Sequence, residues 1–504
     1  MSVTTARETR TDNQLSVLTA LGLVAVGAWI SLVVLNLPDA SPQIVSELWL
    51  SVVGAVTVGI GGFVLARRRL GAIGAPRWLR IGPLFTIYYT LVFGVFSLAW
   101  LKPQTGVTSL VEPSQVPPAV ALCTIGLACW VIGYVGGAPA VIRRSASSFV
   151  GRFFPEANWT FRFPTISIVV YLIGFAARLY QLQNSQFGYL QNAGAALTSP
   201  SGLGELSALI SDFAQFGLVM AALDAFVVSK SFRSRTILLL MLLTEISTGL
   251  FAGSKQLVVE SLVIVGIVAV YAYGKVSKRG AVIAVLVILF IFPLVTAYRA
   301  SIRGASTTSV ATNQAATSLI RTLESTVSNL TPRLLLIDSP AQIADRLREI
   351  DNVAIIRQKT PVAIPYLPWT DLVIDPAVDW IPRILWSSKP VLSTGQAFSE
   401  QYYQIPQGLI TASAVTIPGD LYRHGGVLPL CLGMFIFGGI MFTFDSAIDP
   451  SRDLRRLVLF VPLLVVLLYS EDDVTTTLLG ILGLFIAASI AGWIAFLPEH
   501  SYPK

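Results

Sequence analysis

The chain has 504 residues, of which 54% are hydrophobic and 12% charged, and its mean hydropathy is +0.70. This is roughly half the charge of an ordinary soluble domain and excludes a water-soluble globular fold. The net charge of +7 does not indicate a nucleic-acid partner, because the basic residues lie between apolar runs instead of on one solvated face.

A bilayer-spanning helix needs ~20 mainly apolar residues, since its backbone polar groups can be satisfied only within the helix. Residues 1–16 are polar and lead into an apolar run without a small-residue cleavage signature, so that run reads as a retained first span. Apolar runs follow in order at 16–36, 44–66, 81–101, 118–138, 163–183, 205–229, 236–252, 257–274 and 280–298. Three more lie at 427–445, 457–470 and 474–497, the middle one shorter than a full span. The predicted fold is therefore all-α: a polytopic membrane protein of about 12 transmembrane helices, with a large loop that contains short helices. Its parts are residues 1–298 with spans one to nine, a loop at 299–426, and residues 427–504 with spans ten to twelve and a short tail.

Charge sets the orientation, because short cytoplasmic loops hold the Lys and Arg excess. Alternate loops, with Arg67-Arg68-Arg69, Arg143 and Arg144, Arg233 and Arg235, Lys278 and Arg279, and Arg455 and Arg456, together with the tails hold 21 of the 35 basic residues. The short loops of the other side carry only Lys102, Arg178 and Lys255. Both termini are thus expected in the cytoplasm and residues 299–426 outside a cytoplasmic membrane. That loop carries 11 basic and ten acidic residues. Within it, Ser339-Pro340-Ala341-Gln342 reads as an N-cap, first-turn proline and capping-box glutamine, and Leu319, Leu323 and Val327 suggest an upstream amphipathic helix. The prolines from Pro361 to Pro390 predict extended chain and turns.

The sequence contains no Walker A, Rossmann, HExxH or calcium-loop signature. Cys123, Cys129 and Cys431 all fall in apolar runs and suggest no disulfide framework. Candidate site residues therefore come from cations on the predicted outer side. Arg299 and Arg303 lie four apart just after the ninth span; Arg383 and Lys389 follow; Arg423 closes the loop; Lys255 caps a hairpin and Arg178 ends the fifth span. The planar guanidinium fork suits bidentate phosphate contacts. For Arg178 and Lys255 the alternative is simple snorkelling to the headgroups. Trp386, Tyr403 and Tyr422 stand among loop aromatics suited either to the interfacial belt or to stacking on sugar rings. His424, Glu400 and Asp420 are candidate bases, with a hydrogen-bonded structural role open for His424. The second histidine, His500, is in the tail, and an isolated histidine is a poor metal site. Asp371, Asp375 and Asp379 recur at spacing four, but Pro376 argues against one continuous helix.

Ser254-Lys255 in a hairpin, Pro382-Arg383 followed by Lys389-Pro390, and Asp420-Leu421-Tyr422 with Gly425-Gly426 entering the next span form a layout that resembles the oligosaccharide repeat-unit polymerases (O-antigen polymerases, Wzy-type), similar in plan to the O-antigen ligases. Lysine stands at 255 where the family pattern has arginine. The resemblance implies a GT-C-like, inverting, metal-independent glycosyltransferase without a cofactor. It would act at the outer face of the membrane on polyprenyl-pyrophosphate-linked oligosaccharide, with the lipid bilayer and a chain-length regulator protein as partners. Arg299, Arg303 and Arg383, supported by Lys389, Arg423, Lys255 and Arg178, would hold the pyrophosphate, and His424 or Glu400 would accept the acceptor's proton. The competing readings are an O-antigen ligase, and a polysaccharide transporter or lipid-linked oligosaccharide flippase, for which Arg178, Asp212, Asp224, Glu245 and Glu260 within the spans are the relevant groups.

Overall fold

The computed structural model describes residues 3–36, 44–69, 78–102, 106–154, 159–162, 165–184, 187–190, 202–303, 312–386, 388–389, 394–406, 413–468 and 471–498. The side chain of Arg303 and all of His500 lie outside the described residues. Among the described residues, 11 helices are long and apolar enough to cross a membrane, and the chain is an all-α polytopic membrane protein.

The first six long helices are α1 (Val3–Leu35), α2 (Ile44–Arg69), α3 (Ile81–Phe93), α4 (Val116–Gly136), α5 (Ala140–Phe153) and α6 (Ile166–Gln183). Of these α5 lies between spans and carries Arg143, Arg144 and Arg152. After α3 the chain tightens at Gly94 into a 3₁₀ segment, Val95–Leu101, which completes the span. The sixth predicted span is two helices in sequence, α7 (Gly202–Ser211) and α8 (Phe213–Leu223), joined at Asp212 and ending in a π-helical turn, Asp224–Val228. Then come α9 (Phe232–Phe251), α10 (Lys255–Tyr273) and α11 (Lys278–Arg303). Ser231 and Ser254 start α9 and α10 as N-caps, accepting from Ser234 N and Leu257 N, which satisfies donors that the helices leave open.

The loop contains α12 (Thr312–Ser328), α13 (Ser339–Leu347), α14 (Ile350–Lys359), α15 (Asp371–Asp379), α16 (Thr394–Tyr403) and α17 (Ile417–Arg423). The chain returns through α18 (Val427–Ala447), α19 (Leu457–Leu468) and α20 (Val474–Ala495). A two-stranded antiparallel ribbon pairs β1 (Trp159–Phe161) with β2 (Phe496–Pro498). The predicted eleventh span is α19, at 12 residues too short to cross alone, and it runs buried through the interior.

Three expectations for the loop change. The helix at Ser339 forms, but it is entered from a π-helical turn, Leu334–Asp338; Ser339 Oγ donates to Leu334 O at 2.7 Å instead of capping, and Gln342 Oε1 accepts no hydrogen bond. The capping box is thus displaced by continuing helix. The proline-rich stretch contains α15, which runs through Pro376 and puts Asp371, Asp375 and Asp379 on one short helix; a proline there removes one backbone hydrogen bond, which nine residues tolerate. The upstream amphipathic helix is longer than Leu319 to Val327, covering all of α12.

The centre of the bundle is α4, whose span is 72% buried, against 22% for α11 at the periphery. Helices α4 and α18 run the same way, with backbones close enough that a Cβ on Gly133 would sit 1.9 Å from Phe435 O and one on Gly438 2.2 Å from Trp130 O. Close approach through small residues is how helices associate where lipid removes the hydrophobic drive. On the arginine-rich face, Asp445 of α18 accepts from Arg80 Nε at 2.8 Å, Tyr134 Oη at 2.6 Å and Gly82 N at 3.0 Å, and Arg80 also pairs with Asp449. This network ties the start of α3 to α4 and α18, and the described residues of 312–423 lie on the opposite, loop face.

Candidate functional site at the loop face

The short helix α17 organises the site. Thr416 is its N-cap and accepts from Gly419 N at 3.1 Å. The chain leaves α17 through Gly425 (φ 141°) and Gly426 (φ 80°), a backbone path open to glycine, and so turns directly into α18. Asp420 of α17 uses both carboxylate oxygens: Oδ1 accepts from Arg423 Nε at 2.7 Å and Oδ2 from Val474 N, at the start of α20, at 2.9 Å. Its role is to pin α17 to α20 and to hold Arg423. His424 Nδ1 lies 2.7 Å from the backbone carbonyl of Asp420. A carbonyl only accepts, so Nδ1 carries a proton and the neutral ring has its lone pair on Nε2. The ring borders an apolar groove of about 720 Å³ between α15, α17, α18 and α20.

Beside α17 runs a polar chain that starts at the buried Tyr403 and reaches the exposed Arg346. Tyr403 Oη donates to Asn352 Oδ1 at 2.7 Å, and Asn352 Nδ2 donates to Glu349 Oε2 at 2.8 Å. Arg346 then bridges Glu349 Oε1 at 3.2 Å and Glu471 Oε2 at 2.7 Å, and Glu471 O accepts from Thr416 N at 3.1 Å. Burial, then the neighbouring Glu471, pushes the Glu349 carboxyl up, and burial pushes Asp472 up to about 7. Asp351 is raised by burial too, although Arg348 pairs with it at 2.9 Å and Trp100 Nε1 donates to it at 2.6 Å.

The sequence-predicted cations fall into four sets of partners. Arg178 pairs with Glu245 at 2.6 Å inside the membrane. Arg383 and Lys389 share Glu205 of α7 at 3.1 and 3.2 Å, and Lys389 also meets Asp379 at 2.9 Å. Arg423 belongs to Asp420. Lys255 Nζ donates to Thr296 Oγ1 at 2.6 Å and lies over the Phe292 ring, while Arg299 Nε donates to Gly253 O at 2.6 Å. Arg299 and Arg346 each lie near enough to Lys255 for their charges to act on it, so the last set adjoins the polar chain.

Of the other candidates, Glu400 accepts from Gln396 at 3.1 Å and does not line the groove. Trp386 Nε1 donates to Ser388, and Tyr422 is half-buried against Tyr366 with ring centroids 6.4 Å apart. Sequence reasoning missed Arg346, Glu349, Asn352 and the Glu471-Asp472-Asp473 run; three consecutive acids between two apolar runs were the available signal.

No curated protein matches the chain, and no solved structure does. Residues 188–447, more than half of it, match the family model described as Domain of unknown function (DUF8712), a range that contains Glu205, Lys255, Arg299 and all of α17. The chain belongs to the DUF8712 family.

Proposed function

We propose that this protein is an inverting membrane glycosyltransferase that joins polyprenyl-pyrophosphate-linked oligosaccharide units at the outer face of the cytoplasmic membrane, with the loop face outside. The observation that carries the reading is His424: its Nδ1 is held by α17, which leaves Nε2 as the acceptor at the head of an apolar groove. An acceptor hydroxyl gives its proton to Nε2 as its oxygen bonds to the anomeric carbon, and the bond from that carbon to the diphosphate oxygen breaks with its electron pair. Negative charge grows on the departing diphosphate, and Lys255, Arg299 and Arg346 are the cations that neutralise it. Asp420 and Arg423 act as positioning residues for the helix that carries the imidazole.

The test is surface polysaccharide length in cells that make His424→Gln protein at normal level. Loss of a general base lowers the rate ~10²–10⁴-fold, so long chains disappear. Undiminished long chains refute the reading. One observation favours a carrier instead: Arg178, Glu245, Asp212 and Glu260 form an ionisable group within the spans, the kind of cluster that marks ion pathways. A flippase predicts lipid-linked units accumulating on the cytoplasmic side when Glu245 is replaced.

A further inference from the structure

The groove beside His424 has a geometry that a sugar-binding cleft does not need. It follows α18 from Leu428 to Ile440, a rise of about 18 Å, well into the membrane-spanning segment. Its lining is almost wholly apolar, and the side-chain polar groups among its lining residues are those of His424 and Thr477 and the indole N–H of Trp369. One wall is sealed: Ile417 and Leu421 of α17 are buried. The other is open, because Leu428, Leu432 and Ile436 line the groove while 68%, 55% and 59% exposed. These three belong to a span, so the opening faces hydrocarbon and not water. Towards the loop face Trp369, just ahead of α15, and Val373 of α15 line the entrance at 68% and 67% exposure, an aromatic and an aliphatic side chain of the kind that the interface between headgroups and chains favours.

A concavity that opens sideways into lipid and deepens along a span fits a single hydrocarbon chain lying parallel to the helix. Its polar end would emerge beside His424 and the buried Arg423. We infer that this groove binds the isoprenoid chain of a polyprenyl phosphate lipid, which enters laterally from the leaflet on the loop face between α15 and α18. That the chain is isoprenoid and its headgroup a phosphate rests on the glycosyltransferase reading; a single hydrocarbon chain and its lateral route rest on the groove.

The full-length protein, reconstituted in phosphatidylcholine vesicles containing a diazirine-bearing polyprenyl phosphate, is irradiated and its adducts are mapped by mass spectrometry. Adducts are expected on the peptide spanning Leu428 to Ile440. They should fall by about tenfold or more in Leu432→Trp, whose indole fills the groove and displaces several methylenes of the chain. Ile490→Trp, at a 44% exposed position on α20 away from the groove, should leave them unchanged. Excess unlabelled polyprenyl phosphate should remove the adducts, and phosphatidylglycerol should not. Both variants alter exposed positions, and their melting temperatures verify folding. Adducts spread evenly over lipid-facing helices, adducts that survive Leu432→Trp, or equal competition by phosphatidylglycerol each overturn the proposal. Groove adducts in His424→Gln protein whose cells still display long-chain polysaccharide would refute glycosyl transfer and leave the lipid site standing.

Discussion

Replacing Asp420 by Asn separates a positioning carboxylate from a catalytic one. Both carboxylate oxygens are in use, on Arg423 at 2.7 Å and on Val474 N at 2.9 Å, and the side chains of Asp420 and Arg423 are 3% and 9% exposed. Asparagine keeps one acceptor oxygen but sets an NH₂ against the other donor and leaves the buried guanidinium without its countercharge. Removing one partner of a buried pair costs ~3–5 kcal/mol, and losing one of two anchors at a helix start adds ~1 kcal/mol. The retained acceptor offsets part of this, so about 3 kcal/mol of stability is lost. Intrinsic tryptophan fluorescence during heating of detergent-solubilised protein reports it as a fall in melting temperature. His424→Gln, measured in parallel, should keep its melting temperature close to wild type, because the glutamine amide can still donate to the carbonyl that holds Nδ1. An Asp420→Asn protein that melts with wild type yet makes no polymer would refute the argument and return Asp420 to the chemistry.

Other perturbations test the remaining contacts. Glu245→Gln strands Arg178 inside the membrane and should lower the melting temperature, by an amount corresponding to ~3–5 kcal/mol, more than Glu260→Gln does. Stability should decline as the pH rises from about 4 to about 7, because the unfolded chain ionises Asp472 near its ordinary 3.8 while the folded protein holds that proton until about 7; Asp472→Asn should flatten the melting-temperature profile across that interval. A double-mutant cycle on Arg383→Ala and Glu205→Ala should give a coupling of ~1–3 kcal/mol, since Arg383 and Lys389 fasten the loop to α7; additive effects would show that the pairing contributes nothing. Under the proposed chemistry Arg299→Ala should shorten surface polysaccharide with the protein at normal level, and unchanged chain length would remove Arg299 from diphosphate binding.

The sequence by itself determined that this protein spans a membrane, and where. Span length and apolarity are local properties imposed by the hydrocarbon thickness, so every predicted run reappears as helix, with α19 too short to cross by itself. Single residues gave only candidates: His424, Glu400 and Asp420 stood out as possible bases, and the fold engages both oxygens of Asp420 with Arg423 and Val474 and keeps Glu400 off the groove. Which charge meets which was not legible, because partners such as Arg383 and Glu205, Arg346 and Glu471, or Asp420 and Val474 come from elements far apart in the chain. A patterned cation reads as free for phosphate until the fold brings its acid. The groove belonged to the tertiary structure alone, since Leu428, Leu432 and Ile436 look in sequence like any lipid-facing stripe. Only the placement of α15, α17 and α20 around α18 leaves a space beside them and sets an imidazole at its end.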